Sequence, residues 1–262
     1  MTADATPDTW DPEIYERFRA ERERPVDDLL GLVAPVPGGR VVDLGCGTGR
    51  ITARLHEHTR AAETVGLDSS PKMLQRAGEE SGGGVRFAEA DLADLDDLDD
   101  TWDVIFSNAA YHWVPDHERL LPGLVEHLAP GGQFVFQVPS NFEHPSHVVA
   151  DALGHEYGVG GLDATAAIES PARYAEILWA TGLRDLDVSL RIYGMALTRT
   201  DEVIAWVSGS MLTTYERRLG PDRYPEFRAE YRRRLLDALG DPTGDRPYYF
   251  AFPRILCAGR LA

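Results

Sequence analysis

The sequence predicts an α/β protein with a doubly wound, mostly parallel sheet, and three observations carry that reading. Between Arg40 and Val138 short apolar runs alternate with helix-period stretches. A glycine-rich turn, Asp43-Leu44-Gly45-Cys46-Gly47-Thr48-Gly49, joins the first of those runs to a helical one. Acidic or amide residues (Asp68, Asp91, Asn108) stand where the later runs end, and in open α/β sheets ligands bind at the carboxyl ends of the strands.

In chain order, Tyr15 to Leu30 reads as a charged helix broken near Pro25. Strands are expected at Arg40–Leu44, Thr64–Asp68, Val85–Glu89, Asp103–Phe106 and Gln133–Val138, each a short β-branched or aromatic run. Helices between them start at Arg50, at Lys72 after Ser70-Pro71, and after Asp116, a capping residue; Pro130-Gly131-Gly132 stops the last of these. The acidic run Asp91 to Asp100 reads as a solvated turn or short helix, its leucines interrupting the charge. Residues 139–170 are rich in Gly, Pro, His and Ala and break the rhythm, as an insertion or lid does. Pro171 to Thr181 then reads as a helix, Leu186 to Leu197 as a strand, and Thr200 to Leu219 and Tyr224 to Leu239 as amphipathic helices. The last strand, Tyr248 to Ala258, contains Pro253, which suggests an edge or a bulge because proline cannot donate a ladder hydrogen bond.

Composition excludes several functions. The 262 residues carry a formal charge of -17, which opposes both nucleic-acid phosphates and an anionic membrane surface. No apolar run approaches the roughly 18 to 20 residues of a membrane span. The start, MTADATPDTWDPE, lacks the basic head and apolar stretch of a signal peptide, so a cytoplasmic protein is expected. Two cysteines, Cys46 and Cys257, give neither a disulfide framework nor metal-ligand spacing, and no metal is expected.

Glycines in the turn let the backbone bend tightly and approach a ligand without a Cβ in the way. The spacing is G-x-G-x-G with an acid two residues ahead, not the G-x-G-x-x-G that wraps a pyrophosphate. An acid there repels a diphosphate and suits an ammonium or a hydroxyl. Asp68 ends the second strand, where a carboxylate accepts ribose hydroxyls. Asp91-Leu92 follows the third strand and suits an adenine, and Asn108 ends the fourth.

This combination resembles the class I S-adenosylmethionine-dependent methyltransferases. The resemblance implies seven strands with the last antiparallel, S-adenosylmethionine as cofactor and S-adenosylhomocysteine as its product. It implies that Asp43, Gly45, Gly47 and Gly49 line the methionine part, Asp68 the ribose, and Asp91 with Leu92 the adenine. Asn108 would position the methionine part or the sulfonium side, and Cys46, Ser69, Met73 and Ala109 are further cofactor-binding candidates.

Further landmarks are similar to the trans-aconitate methyltransferases: Trp10-Asp11-Pro12-Glu13-Ile14-Tyr15, Glu21-Arg22-Glu23-Arg24-Pro25, Asp68-Ser69-Ser70-Pro71-Lys72-Met73, Asn108 to Trp113, Asn141 with Pro145-Ser146-His147, and Ala251-Phe252-Pro253-Arg254. They divide the chain into an N-terminal helical lid (1–36), a cofactor-binding core (37–138), an insertion or substrate cap (139–185) and a C-terminal completion of the sheet with substrate-side helices (186–262). Thr48, Arg50, Tyr111 and Ser140 depart from the residues the family pattern leads us to expect.

Methyl transfer from a sulfonium is an in-line displacement, so catalysis consists chiefly of holding the nucleophile about 3 Å from the methyl carbon with water excluded. Tyr111, His112 and Trp113 are the candidate catalytic wall, their aromatic faces favouring a cationic centre. An ionised carboxylate acceptor needs no base. It needs arginine, and Arg24 and Arg254 are the candidates, with Trp10, Tyr15, Asn141, His147 and Tyr193 as further substrate contacts. For a hydroxyl acceptor His112, then His147, would be the base. The expected function is therefore methyl esterification of a small organic acid by a monomer or homodimer. The alternatives are O-, N- or C-methylation of a specialised metabolite, an idle cofactor-binding protein, and, against the loop spacing, a nicotinamide-dependent oxidoreductase.

Overall fold

The computed structural model describes residues 19–93, 98, 101–162, 168–208 and 211–262. Trp10, Tyr15 and most of the acidic run Asp91 to Asp100 lie outside the described residues. Two compact units are present, each assembled from non-contiguous stretches. The larger comprises Pro25–Ser140, Asp163–Arg191 and Pro253–Ala262; the smaller comprises the described residues up to Arg24 with Asn141–Leu162 and Ile192–Phe252.

The sheet has seven strands: β1 (Arg40–Leu44), β2 (Glu63–Asp68), β3 (Val85–Glu89), β4 (Trp102–Asn108), β5 (Leu128–Pro139), β6 (Leu183–Leu197) and β7 (Tyr248–Leu261), in the order β3-β2-β1-β4-β5-β7-β6. The first five are parallel, with Val42 in register with Val65 on β2 and Ile105 on β4. β7 runs antiparallel to β5, pairing Phe136 with Cys257. Strands β1, β2 and β4 and the second half of β5 are buried through most of their length, which explains their continuous apolar runs, whereas β3 at the sheet edge is buried only at Val85.

Helices α1 (Arg19–Leu30), α2 (Arg50–Thr59), α3 (Pro71–Ala77), α4 (His117–Val125) and α6 (Pro171–Ala180) belong wholly or in part to the larger unit. Its core gathers Val42, Ile105, Leu121, Phe134, Phe136 and Tyr174, and each fully buried large side chain contributes about 1.5–3 kcal/mol. Ser70 caps α3 by accepting the Met73 N–H, as its position before Pro71 predicts. Three expectations about helices fail. Pro130-Gly131-Gly132 does not stop a helix, since α4 ends at Val125 and the triplet lies inside β5. α1 continues through Pro25, because burying Pro25, Val26, Leu29 and Leu30 offsets the one helical bond that proline cannot make. Asp116 precedes α4, but its backbone is left-handed and its side chain makes no capping bond; its carbonyl oxygen accepts from Arg119 and Leu120 instead.

Pro253 does not lie on an edge strand, since β7 runs between β5 and β6. It stands just outside the last β5–β7 register pair, Pro139 with Arg254, so its missing N–H interrupts none of those pairs. In the smaller unit α5 (Pro145–Glu156) packs against α8 (Met211–Ala238), with α7 (Glu202–Ser208) beside both. The break expected between two late helices survives as a kink in α8 at Gly220, whose φ of 72° is left-handed. Tyr215, Phe227 and Tyr231 stack there, and the Tyr231 hydroxyl donates to the Ser146 carbonyl.

Candidate active site

The glycine turn is fixed by its neighbours within the larger unit. The N–H groups of Gly45 and Cys46 both donate to the Leu67 carbonyl at the end of β2, at 2.8 and 2.9 Å. Gly47 N–H donates to Asp68 Oδ2 at 2.8 Å, and Ser70 N–H to Asp68 Oδ1 at 2.9 Å. Asp68 thus ties the turn to the start of α3, and each carboxylate oxygen keeps a lone pair for a further donor. Phe87 on β3 lies beneath: a Cβ on Gly49 would stand 2.5 Å from Phe87 Cζ and 3.0 Å from the Ala77 methyl. A Cβ on Gly45 would overlap the Ala110 methyl and lie 3.3 Å from Leu92 Cδ1. Leu92, Gly45 and Ala110 are therefore brought together, with space for backbone but not for a further side chain.

Asp43 is not a surface acid. It is 1% exposed, and its Oδ2 accepts the Thr52 hydroxyl of α2 at 2.6 Å. Burial is the main cause that pushes its carboxyl up to about 7; the Thr52 bond opposes this and the nearby Asp68 charge adds to it. Burial also pushes the Cys46 thiol far up, so that sulfur is inert. Asp91, exposed, accepts the Ala93 N–H, while Ser69 and Met73 are exposed at the rim of the turn.

β4 ends in Asn108, whose side-chain oxygen accepts from Gln137 Nε2 at 3.0 Å. The next residue, Ala109, has a φ of 54°, a left-handed conformation costing an alanine about 1–2 kcal/mol, and its N–H donates to the Gln137 carbonyl. Strained backbone of this kind persists where neighbours over-determine it. A single 3₁₀ turn, Tyr111–Trp113, follows. It sends its side chains in different directions, and here the sequence reading needs correction. Tyr111 is fully buried, edge-on to Phe136 and His117, with its hydroxyl unpartnered among the described residues and burial raising its phenol well above the usual value. It is a core side chain, not a pocket wall. Trp113 points outward at 54% exposure, and His112, nearly buried, tilts against it with ring centroids 4.7 Å apart. His117 braces the turn: one ring nitrogen meets the Tyr111 carbonyl at 2.9 Å, so that nitrogen carries the proton, and the other accepts from Tyr174 OH at 2.6 Å.

Of the substrate candidates, Arg254 lies in the larger unit. Its register partner Pro139 is the last residue of β5, two beyond Gln137, which pairs with Asn108; the register therefore puts Arg254 at the same end of the sheet as the glycine turn. In the smaller unit the Arg24 guanidinium lies 5.8 Å over the Tyr193 ring, and Tyr193 stacks on Phe252. Asn141 is buried there, and His147 stands edge-on to Phe142 with Nδ1 3.1 Å from Ser146 Oγ. A groove of about 450 Å³ between α4 and α6 is lined by none of the candidates. Among the described residues no group of His, Cys, Asp and Glu is arranged to hold a metal ion, and no helix is long and apolar enough to cross a membrane.

Three contributors escaped the sequence reading. Thr52 and Phe87 offer no signal of their own, since a threonine in a helix and a phenylalanine in a strand are commonplace. Gln137 did offer one, an amide inside the apolar run Phe134-Val135-Phe136-Gln137-Val138.

A family model described as a methyltransferase domain matches residues 41–132. The trans-aconitate 2-methyltransferase of Deinococcus radiodurans is 37% identical over 256 residues, 95% of this chain and 96% of its own. That of Mycobacterium tuberculosis is 39% identical over 258 residues, 96% of this chain and 97% of its own. Among solved structures, an S-adenosylmethionine-dependent methyltransferase from Mesorhizobium loti superposes with a TM-score of 0.51 at 26% identity, over 91% of this chain and 97% of that one. The YcgJ protein of Bacillus subtilis shares the fold, with a TM-score of 0.60 at 16% identity over 90% and 97%.

Proposed function

Because this chain belongs to the trans-aconitate 2-methyltransferase family, we propose that it esterifies a carboxylate of a small organic acid of the trans-aconitate type. It is a methyltransferase, and the proposal concerns the cofactor, the acceptor and the residues that hold them. The observation that carries the carboxylate reading is the register that brings Arg254 to the ligand end of the sheet. A guanidinium there offers a carboxylate two parallel hydrogen bonds.

S-adenosylmethionine suits the crevice on the geometry present. Gly45 and Gly49 let the turn pack closely on Ala110 and Phe87, the half-buried Gly47 has open space beside its backbone, and Asp68 keeps acceptor capacity for ribose hydroxyls. Leu92 offers an apolar contact for adenine, with Asp91 at the rim. When bound, this cofactor supplies a methyl group on a sulfonium centre. The chain's residues orient it: Asp68 fixes the turn, Asn108 and Ala109 end the neighbouring strand, and His112 with Trp113 flank the exit of β4. Arg254 holds the acceptor's carboxylate, already ionised near neutral pH, so no base is required. Arg24, Asn141, His147 and Tyr193 remain candidate acceptor contacts. The net charge of -17 supports action on a small molecule rather than on nucleic acid or an anionic membrane, and the reading includes a cytoplasmic monomer or homodimer.

The test is product analysis. Incubated with S-adenosylmethionine and trans-aconitate, the protein should yield a base-labile product one methylene heavier by mass spectrometry. Absence of an ester with the cofactor still bound would redirect the reading to another acceptor atom and make His112 the residue to examine. Replacing Arg254 by alanine should raise the KM for the anionic acceptor roughly 10- to 100-fold, the effect of losing a charge-assisted pair, while cofactor affinity stays constant. A parallel fall in both affinities would instead assign Arg254 to the framework of β7.

Asp43 gives the cofactor affinity a pH dependence. Its carboxyl is neutral below about 7 and ionised above, and an ammonium on the ligand favours the ionised form. Affinity for S-adenosylmethionine should therefore rise as pH increases from 6 to 8, with proton release on binding below neutrality, measurable by calorimetry in buffers of different ionisation enthalpy. An affinity flat across that window would separate Asp43 from the bound cation.

A further inference from the structure

We propose that Gln137 is a positioning residue that fixes the Asn108 amide as a hydrogen-bond donor toward a carboxylate bound at the strand ends. The proposal rests on the methyltransferase reading above and adds the polarity of one position in that site. Gln137 is 2% exposed on β5, and its Nε2 donates to Asn108 Oδ1 at 3.0 Å. With Oδ1 so occupied, the half-buried Asn108 presents only its Nδ2 hydrogens to the crevice. The Gln137 Oε1 is buried without a partner among the described residues. Turning both amides over would bury an unpaired N–H in place of that carbonyl oxygen, and an orphaned N–H is the costlier of the two. The backbone locks the same pair, since the Ala109 N–H donates to the Gln137 carbonyl and Ala109 is held left-handed by the turn.

A donor amide suits a carboxylate and opposes an ammonium. Two carboxylates qualify: that of the cofactor's methionine part and that of the acceptor. A nonpolar core role for Gln137 would impose no such polarity, and this difference makes the idea testable.

The experiment compares the full-length wild type with Gln137→Glu and Gln137→Met. Cofactor binding is measured by calorimetry from pH 5.5 to 8.5, with acceptor KM and thermal denaturation alongside. A glutamic acid buried at this position is neutral at low pH and its O–H can donate to Asn108 as glutamine does. Once ionised it only accepts, so Asn108 must turn its Nδ2 inward and present oxygen to the ligand. Arg254 stands two residues along β7 from Leu256, the register partner of Gln137, and His112 lies in the turn after Asn108, the partner of Gln137 on β4, with Asp43 one strand further on β1. Gln137→Glu should therefore bind its carboxylate ligand about as wild type does at the acid end and at least about 10-fold more weakly than wild type at the alkaline end, so that its affinity relative to wild type falls with pH. Gln137→Met, which keeps the length and folds without a buried charge, should show a smaller loss with the wild-type slope.

Decarboxylated S-adenosylmethionine separates the two sources. If the cofactor's carboxylate is the group, this analogue shows no added alkaline loss in Gln137→Glu. If the acceptor's is, cofactor affinity follows wild type and the loss appears in the acceptor KM. A Gln137→Glu protein that tracks the wild-type profile in both quantities overturns the proposal, as does a Gln137→Met protein indistinguishable from wild type in both. Absence of S-adenosylmethionine binding by the wild type itself would overturn the methyltransferase reading and this inference with it.

Discussion

Gly45→Ala is expected to abolish cofactor binding and to lower the melting temperature by roughly 5–15 °C, measured by calorimetry and thermal denaturation. Gly45 has a φ of 80°, so alanine there carries a left-handed penalty of about 1–2 kcal/mol. Its new methyl would also overlap the Ala110 methyl, adding the about 1–3 kcal/mol typical of overpacking. The strain falls on two segments at once, the glycine turn and the strained Ala109–Ala110 link after β4. Relief requires one of them to move by something like a bond length, and displacements of that size are enough to remove a ligand's contacts. Gly47 shares the positive φ without the clash, since an added Cβ there would meet no atom within 4 Å, so Gly47→Ala should cost stability less.

Asp68→Ala is expected to weaken S-adenosylmethionine binding about 100- to 1000-fold with a modest change in stability. Two charge-assisted bonds to ribose hydroxyls are each worth about 1.5–3 kcal/mol in a desolvated crevice, and the factor follows from their loss. The same substitution releases the N–H groups of Gly47 and Ser70, so part of the loss is loop order rather than direct contact. Asp68→Asn separates the two: it retains an acceptor oxygen and should fall between wild type and alanine. An Asp68→Ala protein that binds as wild type does would remove the ribose assignment.

The parts legible in sequence were those set by local chemistry. Continuous apolar runs announced parallel strands, Ser70-Pro71 announced a helix start, and the glycines of the turn announced positive φ, found at Gly45, Gly47 and Gly49. Parts that depend on packing were not legible. Nothing in Tyr111-His112-Trp113 says that a 3₁₀ turn will bury the first ring and expose the third, since that follows from the left-handed Ala109 just after β4. Pro25 and Pro253 were read through proline's local cost, whereas burial in one case and the end of a ladder in the other made that cost tolerable. Asp43 was legible as an acid beside the turn suited to an ammonium or a hydroxyl, but not its burial: its place under the turn, bonded to Thr52, follows from the helix that the glycines allow to start there.

The most direct measurement is a crystal structure of the protein with S-adenosylhomocysteine. The ligand is expected across the carboxyl ends of β1, β2 and β4, with its ribose hydroxyls on the Asp68 carboxylate, its adenine beside Leu92 and its amino-acid end over the Gly45–Gly49 turn. A ligand bound elsewhere, for example in the groove between α4 and α6, or a ribose without contact to Asp68, would contradict the assignment.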